Sequence, residues 1–279
     1  MATTITHSRD EWADLAAHVL DRVRAHKPLV QNITNFVAMD ISANVLLAVG
    51  AAPAMVHAED ESAAFCALSN ALVINIGTLS EPFLAGAKAA AISAHTLGKP
   101  WVLDPVGVGA TEYRNQAVKM LLRHRPSIIR GNASEIISVA KLAGFSHNTH
   151  TGPRGVDSTN TTDEAAQAAH WLARNNLCTI IATGAVDLIT DGHNTLTLAH
   201  GSELMTRVTA IGCALSAFVG ACSSVHENAY EASIAALIIY TIAGDLAAAQ
   251  ATRPGSFRTA FIDALDAISA SDIKSILRL

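Results

Sequence analysis

The stretch Met205–Ala217, MTRVTAIGCALSA, sets a short segment expected to be extended, a tight Gly212-Cys213 junction and the small-residue start of a helix in succession. Such a junction presents backbone N–H groups and one thiol at a helix N-terminus, where an anion or a charge developing during a reaction is stabilised. Cys213 admits three readings. As a small buried hydrophobe it is inert, the commonest fate of a free cysteine. As a nucleophile it needs a base and an orienting group, and no local signature supplies them. Beside an anion hole it can accept or relay a substrate hydroxyl's proton, with its thiolate favoured by the helix terminus.

Other polar groups recur where apolar runs end. Trp101–Leu103 leads into Asp104-Pro105-Val106-Gly107-Val108-Gly109, a carboxylate followed by a glycine-rich turn that lets backbone approach a ligand. A turn-forming Asp explains the same residues about equally well. Ile128-Ile129 runs into Arg130-Gly131-Asn132-Ala133-Ser134-Glu135. Asn132 with Glu135 three residues on fits a capping box, yet the same carboxylate can reach a magnesium-bound water beside Asp104, because Mg²⁺ keeps several waters and takes few protein carboxylates. Thr183-Gly184 follows Ile180–Ala182, and Gln31-Asn32-Ile33-Thr34-Asn35 follows another apolar segment. Met55, between short apolar neighbours, reads first as core filler. Each signal is weak alone, and their recurrence at successive strand ends carries the weight. Phosphoryl transfer, which needs positioning, Mg²⁺ and charge stabilisation, accounts for Asp104 and Glu135 where thiol-nucleophile chemistry does not.

Composition narrows the classes. Half of the 279 residues are apolar, 15% are charged and the formal net charge is −5. There is no clustered basic surface to bind nucleic acid. The four cysteines, Cys66, Cys178, Cys213 and Cys222, are widely spaced and are expected to be reduced thiols. The N-terminal MATTITHSRDEWADL lacks the apolar core of a secretory signal. The apolar run Ala229–Ala251 is broken by Glu231 and Asp245 and is expected to be a buried helix rather than a membrane span. A cytoplasmic protein is the expectation. The twelve histidines show no ligand spacing; His147 and His150 fall in a polar stretch, and His193 and His200, flanking a short strand, are expected to be solvated.

The elements that must position these groups follow from periodicity. Helices are expected at Ser8–His26, Asp40–Val49, Glu81–Leu97, Tyr113–His124, Ala133–Leu142 and Asp163–Arg174, with three long helices after Gly212. Strands are expected at Pro28–Ile33, Pro53–Val56, Ala71–Ile76, Trp101–Leu103, Ser127–Ile129, Cys178–Ala182, Asp187–Thr190 and Thr195–Leu198, the last three paired antiparallel. Gly144–Thr162 reads as loop. Strands alternating with helices imply an α/β fold, a mostly parallel sheet covered by helices on both faces, with ligands beyond the carboxyl ends of the strands. Residues 1–279 are expected to form a single domain.

In order and spacing, PLVQNITNFVAMDISANVLLAVGAAPAMV, ALVINIGTLS, VLDPVGVGAT, IIRGNASEI, ATGAVDLITDG, RVTAIGCALSA and RPGSFRTAFIDAL resemble the hydroxyethylthiazole kinases of the ribokinase-like superfamily, from about Leu29 to Leu265. The resemblance implies ATP- and Mg²⁺-dependent phosphorylation of the hydroxyethyl group of 4-methyl-5-(2-hydroxyethyl)thiazole in thiamine biosynthesis or salvage, by a homotrimer with the thiazole site near a subunit interface. It further implies that Met55, Asn35 and Gly77 meet the thiazole, with Ala210 close by, and that Arg130 and Thr183 hold ATP phosphates. Asp104 and Glu135 would organise Mg²⁺, mainly through water. Cys213 would stand where most ribokinase-like kinases carry a catalytic Asp, and the amides of Ala210, Ile211, Gly212 and Cys213 would form the anion hole.

Two positions depart from the family pattern. The family often reads Thr-Gly-x-Gly-Cys where this chain has Thr209-Ala210-Ile211-Gly212-Cys213. The added methyl narrows the site, or is accommodated without strain if φ there is negative. Arg253, ahead of Pro254, stands where Gly is common and adds a charge facing either nucleotide or solvent. The rival readings are another small-alcohol kinase of the same superfamily, acting on a hydroxymethylpyrimidine or pyridoxal, a nucleotide-dependent dehydratase, and a non-catalytic binding protein.

Overall fold

The computed structural model describes residues 7–146 and 158–279. Ser8 caps α1 (Arg9–His26) through a capping box in which Ser8 and Glu11 each accept the other's backbone N–H. There follow β1 (Leu29–Ile33), α2 (Met39–Ala48), β2 (Ala52–Ala54), α3 (Glu59–Leu68), β3 (Ala71–Asn75), α4 (Glu81–Thr96) and β4 (Trp101–Asp104). Next come α5 (Glu112–Leu122), β5 (Ile128–Asn132) and α6 (Ala133–Ala143). The second segment holds α7 (Ser158–Asn176), β6 (Thr179–Thr183), β7 (Asp187–Thr190), β8 (Thr195–Leu198) and a 3-10 turn at Glu203–Arg207. It ends with α8 (Ile211–Val225), α9 (Ala229–Gln250), α10 (Pro254–Ala267) and α11 (Ala270–Ile276).

The eight strands form one sheet in the order β2-β1-β3-β4-β5-β6-β7-β8. Pairings from β2 to β6 are parallel, and β6-β7-β8 is an antiparallel meander. Alternation along the strands splits the core. Val30, Val73, Val102, Ile128 and Ile181 pack with residues of α1, α8, α9 and α10 on one face. Ile33, Leu72, Ile74, Leu103, Ile129 and Ile180 pack with residues of α4, α6 and α7 on the other. Strands buried on both faces read as continuous apolar runs, which is why β3 and β4 were legible without alternation. α9 is long and apolar enough to cross a bilayer, but 78% of its most apolar window is buried in this fold; a helix apolar all round belongs in a core.

Three expectations need correction. The segment from Met205, expected to be extended, begins inside a 3-10 turn at Glu203–Arg207, whose Leu204 amide is capped by Ser202. The three expected long helices are α8, α9 and α10, and a short fourth follows them, held by a Ser269–Asp272 capping box. α3 had no counterpart among the expected helices because its apolar residues, Ala63 to Leu68, are consecutive rather than recurring at helical spacing. The stretch read as loop at Gly144–Thr162 is helical from Ser158, while residues 147–157, with His147 and His150, lie outside the described residues.

Candidate active site

The parallel strands end on one edge of the sheet, and the last residues of β3 and β4, Asn75 and Asp104, meet the first turns of α8. Asp104, the last residue of β4, is wholly buried. Its Oδ2 accepts hydrogen bonds from Asn75 Nδ2 at 2.7 Å and Ser216 Oγ at 2.8 Å, and Arg130 Nη1 lies 3.8 Å away. Oδ1 is buried with no hydrogen-bond partner. Burial pushes the Asp104 carboxyl up to about 6, against the pull of Arg130 and Ser216. Desolvation wins because one positive charge and two neutral donors replace a full hydration shell.

Asn75 is the hub. Its Oδ1 accepts from Asn35 Nδ2 and from the Gly77 amide, both at 2.9 Å, which fixes the orientation of its own amide toward Asp104. The loop after β1 brings Asn35 here; its Nδ2 also lies 3.4 Å from Cys213 Sγ, and its Oδ1 takes the Ala38 amide at 3.0 Å. Cys213, Asn35, Asn75, Asp104 and Ser216 thus form a continuous chain of hydrogen bonds. Gly77 fits because a Cβ there would meet Asn35 Cβ at 2.9 Å.

Ala210 is the residue before α8, with φ 61° and ψ 8°, and Ala214 N bonds back to its carbonyl at 2.9 Å. The positive φ removes the strain-free alternative: an L side chain stands in the left-handed region, which favours glycine. The amides of Ile211, Gly212 and Cys213 open the helix and have no intrahelical acceptor. Tyr240 Oη, from α9, donates to the Ile211 carbonyl at 2.7 Å and fixes this first turn. Arg130 lies against Gly212, where a Cβ would sit 3.1 Å from Nη2. The guanidinium also donates to Thr183 Oγ1 at 2.8 Å, and that hydroxyl lies 3.3 Å from the Gly131 carbonyl.

The expectation that the helix start favours the Cys213 thiolate is not met. Burial and the neighbouring Asp104 charge push the thiol up, and the Asn75 and Asn35 amides and Arg130 do not reverse that. Glu135 does form the capping box with Asn132, its Oε2 taking the Asn132 amide at 2.9 Å. Its Oε1 takes the Gly107 amide at 3.0 Å, so one carboxylate ties the turn after β4 to the start of α6.

Beside this network a cleft of about 590 Å³ is lined by Arg130, Thr183, Asp187, His200, Met205 and Gly212, among others. Asp187 accepts the Gly184 amide at 2.9 Å, and burial pushes its carboxyl up to about 6. His200 was expected to be solvated; instead its ring is buried with Nδ1 2.8 Å from Asp245 Oδ2. Arg253 is exposed at the start of α10 and does not line the cleft.

A model of the hydroxyethylthiazole kinase family matches residues 20–271. Hydroxyethylthiazole kinase from Rhizobium johnstonii is 48% identical over 262 residues, covering 94% of this chain and 96% of that protein. The chain belongs to the hydroxyethylthiazole kinase family. A relative of the same name from Cereibacter sphaeroides is 47% identical over 93% of this chain and 96% of its own. The solved structure of hydroxyethylthiazole kinase from Pyrococcus horikoshii superposes with a TM-score of 0.84 at 37% identity, covering 94% of this chain and 96% of that one. Pyridoxal kinase from Staphylococcus aureus, at 15% identity and a TM-score of 0.55 over 78% of this chain and 88% of its own, shares the ribokinase-like fold.

Of the residues singled out in this family member's sequence, Asn35, Gly77, Asp104, Arg130, Glu135, Thr183 and Ala210–Cys213 are gathered at the strand ends. Met55 lies one residue past β2, half-buried and on the same edge, since Ala54 pairs with Gln31; it shares none of the hydrogen bonds that join the others. Asn75, Ser216, Asp187 and Tyr240 were missed. Asn75 carried a signal, a polar residue ending an otherwise apolar buried strand, and Ser216 lies three residues past Cys213 on one helix face.

Proposed function

We propose that the protein transfers the γ-phosphoryl group of ATP to the hydroxyl of 4-methyl-5-(2-hydroxyethyl)thiazole, a step of thiamine biosynthesis or salvage. One observation supports it above the others: the open amides of Ile211–Cys213 stand between the Arg130–Thr183 cleft and the Asn35–Cys213 pair. ATP phosphates would lie in the cleft against Arg130 and Thr183. The alcohol would lie on the Cys213 side with Asn35, Gly77, Met55 and Ala210. The substrate oxygen forms the new O–P bond, the bond to the β-phosphate bridging oxygen breaks, and ADP leaves with that oxygen's charge.

The amides at the start of α8 oppose the charge on the transferring group, as an anion hole does. Only the thiolate fraction of Cys213 can take the alcohol proton, which converts Sγ to the neutral thiol. Phosphoryl transfer proceeds through a loose transition state, in which the attacking oxygen keeps its proton late, so a weak base is tolerated. The raised thiol is consistent with a slow enzyme in which positioning contributes most.

Mg²⁺ fits the residues present. Asp104 Oδ1 is a buried carboxylate oxygen without a partner, and Glu135 stands across the Gly107 turn. When bound, Mg²⁺ would neutralise phosphate charge, with Asp104 and Glu135 as its anchors.

We read residues 1–279 as one kinase domain acting in the cytoplasm as a homotrimer. Phe36 and Val37, next to Asn35, are 60% and 58% exposed, an apolar edge beside the alcohol side that suits a subunit interface; light scattering tests the assembly. An ADP-release assay with the thiazole alcohol, with and without Mg²⁺, tests the activity. Thiazole-dependent, Mg²⁺-dependent release is expected, and its absence overturns the reading. The same assay with pyridoxal and hydroxymethylpyrimidine alcohols separates the rival kinases.

A further inference from the structure

The wall of the cleft formed by residues 200–206 is held from behind by the chain's own C-terminus. Asp245, one turn beyond Thr241 on α9, uses both oxygens on that wall: Oδ1 accepts the Gly201 amide at 3.0 Å and Oδ2 meets His200 Nδ1 at 2.8 Å. The far side of the same ring is engaged too, with the Arg278 backbone N–H 2.8 Å from His200 Nε2. A backbone amide can only donate, so Nε2 accepts, the ring proton sits on Nδ1, and Nδ1 donates to Asp245. Met205, in the 3-10 turn, completes the attachment: its Sδ fills the space a Cβ would need at Gly244 of α9. His200, Gly201 and Met205 all line the cleft.

We propose that His200 is a positioning residue for the nucleotide, and that the C-terminal Arg278 amide, acting through the imidazole, sets the position of the 200–206 wall and with it nucleotide affinity. The inference rests on the cleft being the nucleotide site. The tail is itself anchored at a distance from the site: Arg9 Nε donates to the Leu277 carbonyl at 2.8 Å. The segment linking α11 to the cleft is therefore ordered from both sides. The Arg278 side chain is a lesser contributor. It is 70% exposed and 3.6 Å from Asp245 Oδ2, an exposed pairing of little energetic weight. Its Nη2, 3.3 Å from His200 Nδ1, faces a nitrogen whose proton already goes to Asp245 and so makes no hydrogen bond there.

The amide and the side chain can be separated. Arg278→Pro removes the N–H, and the preceding Leu277, with φ −53° and ψ 126°, already has the backbone that a following proline requires. Arg278→Ala keeps the N–H and loses the charge. A chain ending at Leu277 loses both. ADP binding by titration calorimetry, the KM values for ATP and for the thiazole alcohol, and the melting temperature would be measured on all three. We expect Arg278→Pro and the shortened chain to bind ADP about three- to tenfold more weakly, the size of one lost hydrogen bond. The KM for ATP should rise in step, with the KM for the alcohol unchanged and the melting temperature lowered by only a few degrees, and Arg278→Ala should match the native protein. Native affinity in Arg278→Pro overturns the inference alone. Equal losses in Arg278→Pro and Arg278→Ala overturn it in favour of side-chain charge. Failure of the native protein to bind ADP overturns the cleft reading and this inference with it.

Discussion

Asn75 and Asp104 are register partners at the ends of adjacent parallel strands, and the amide of the first donates to Oδ2 of the second at 2.7 Å. Asn75→Leu keeps the volume and removes the donor. It also takes from Asn35 Nδ2 its oxygen acceptor 2.9 Å away, leaving only the weak contact to Cys213 Sγ. Losing a donor to a buried charge costs about 1.5–3 kcal/mol, so turnover should fall about 10- to 100-fold. Because Asn75 joins both halves of the site, the Mg²⁺ titration and the KM for the alcohol should both shift. Ser216→Ala, which touches Asp104 alone, should shift the Mg²⁺ titration and leave that KM in place.

Cys213 should react as a thiol, not a thiolate. Alkylation by iodoacetamide, read by mass spectrometry, should be slow at pH 7 and accelerate only above the ordinary thiol range, since burial and Asp104 raise the group. Cys66, Cys178 and Cys222 are buried and should stay unlabelled in the folded protein. Cys213→Ala should lower turnover, and Cys213→Asp should retain or raise it. Unchanged turnover in Cys213→Ala would remove the proton-relay role and leave the anion hole to act alone.

Ala210 carries strain that can be measured. Its φ of 61° costs an L residue about 1–2 kcal/mol relative to glycine, partly offset by the larger unfolded-state entropy glycine brings. Ala210→Gly should therefore stabilise the protein by up to about 1 kcal/mol in urea unfolding, and Ala210→Val should destabilise it by more than that. A negligible difference between the native protein and Ala210→Gly would show that the surrounding turn absorbs the strain.

Asp187 should impose a pH dependence on stability. Its folded carboxyl titrates at about 6, against an ordinary value of 3.8. Below the lower value both states hold the proton; between the two only the folded state does; above about 6 neither does. Its contribution is therefore lost as pH rises through that window, by up to about 3 kcal/mol. Asp187→Asn cannot lose a proton, so its stability relative to the native protein should grow between pH 4 and pH 7, measured as the difference between the two urea curves without nucleotide.

Much of this was legible in the residues, for identifiable reasons. Strands β3 and β4 announced themselves because both faces are buried, and Ser8 and Asn132 marked helix starts through capping chemistry that is local to the chain. Asp104, Arg130 and Thr183 stood out as polar residues ending apolar runs. What stayed hidden depends on contacts between distant segments. Nothing local distinguishes His200, whose burial is made by Asp245 and Arg278. Nor does the sequence near Cys213 show that burial overrides the helix terminus. Ser216 looks like any small residue of α8 until Asp104 is placed beside it.

The packing of Arg130 has a consequence for how the cleft fills. The guanidinium lies on Gly212 and is bonded to Thr183, so its rotamer is settled before any phosphate arrives. Immobilising an arginine side chain costs about 2 kcal/mol of conformational entropy. Here that loss falls on the folding of the chain rather than on the encounter with nucleotide. A phosphate entering the cleft meets a fork already aimed, and gives up only its own freedom and that of the water it displaces.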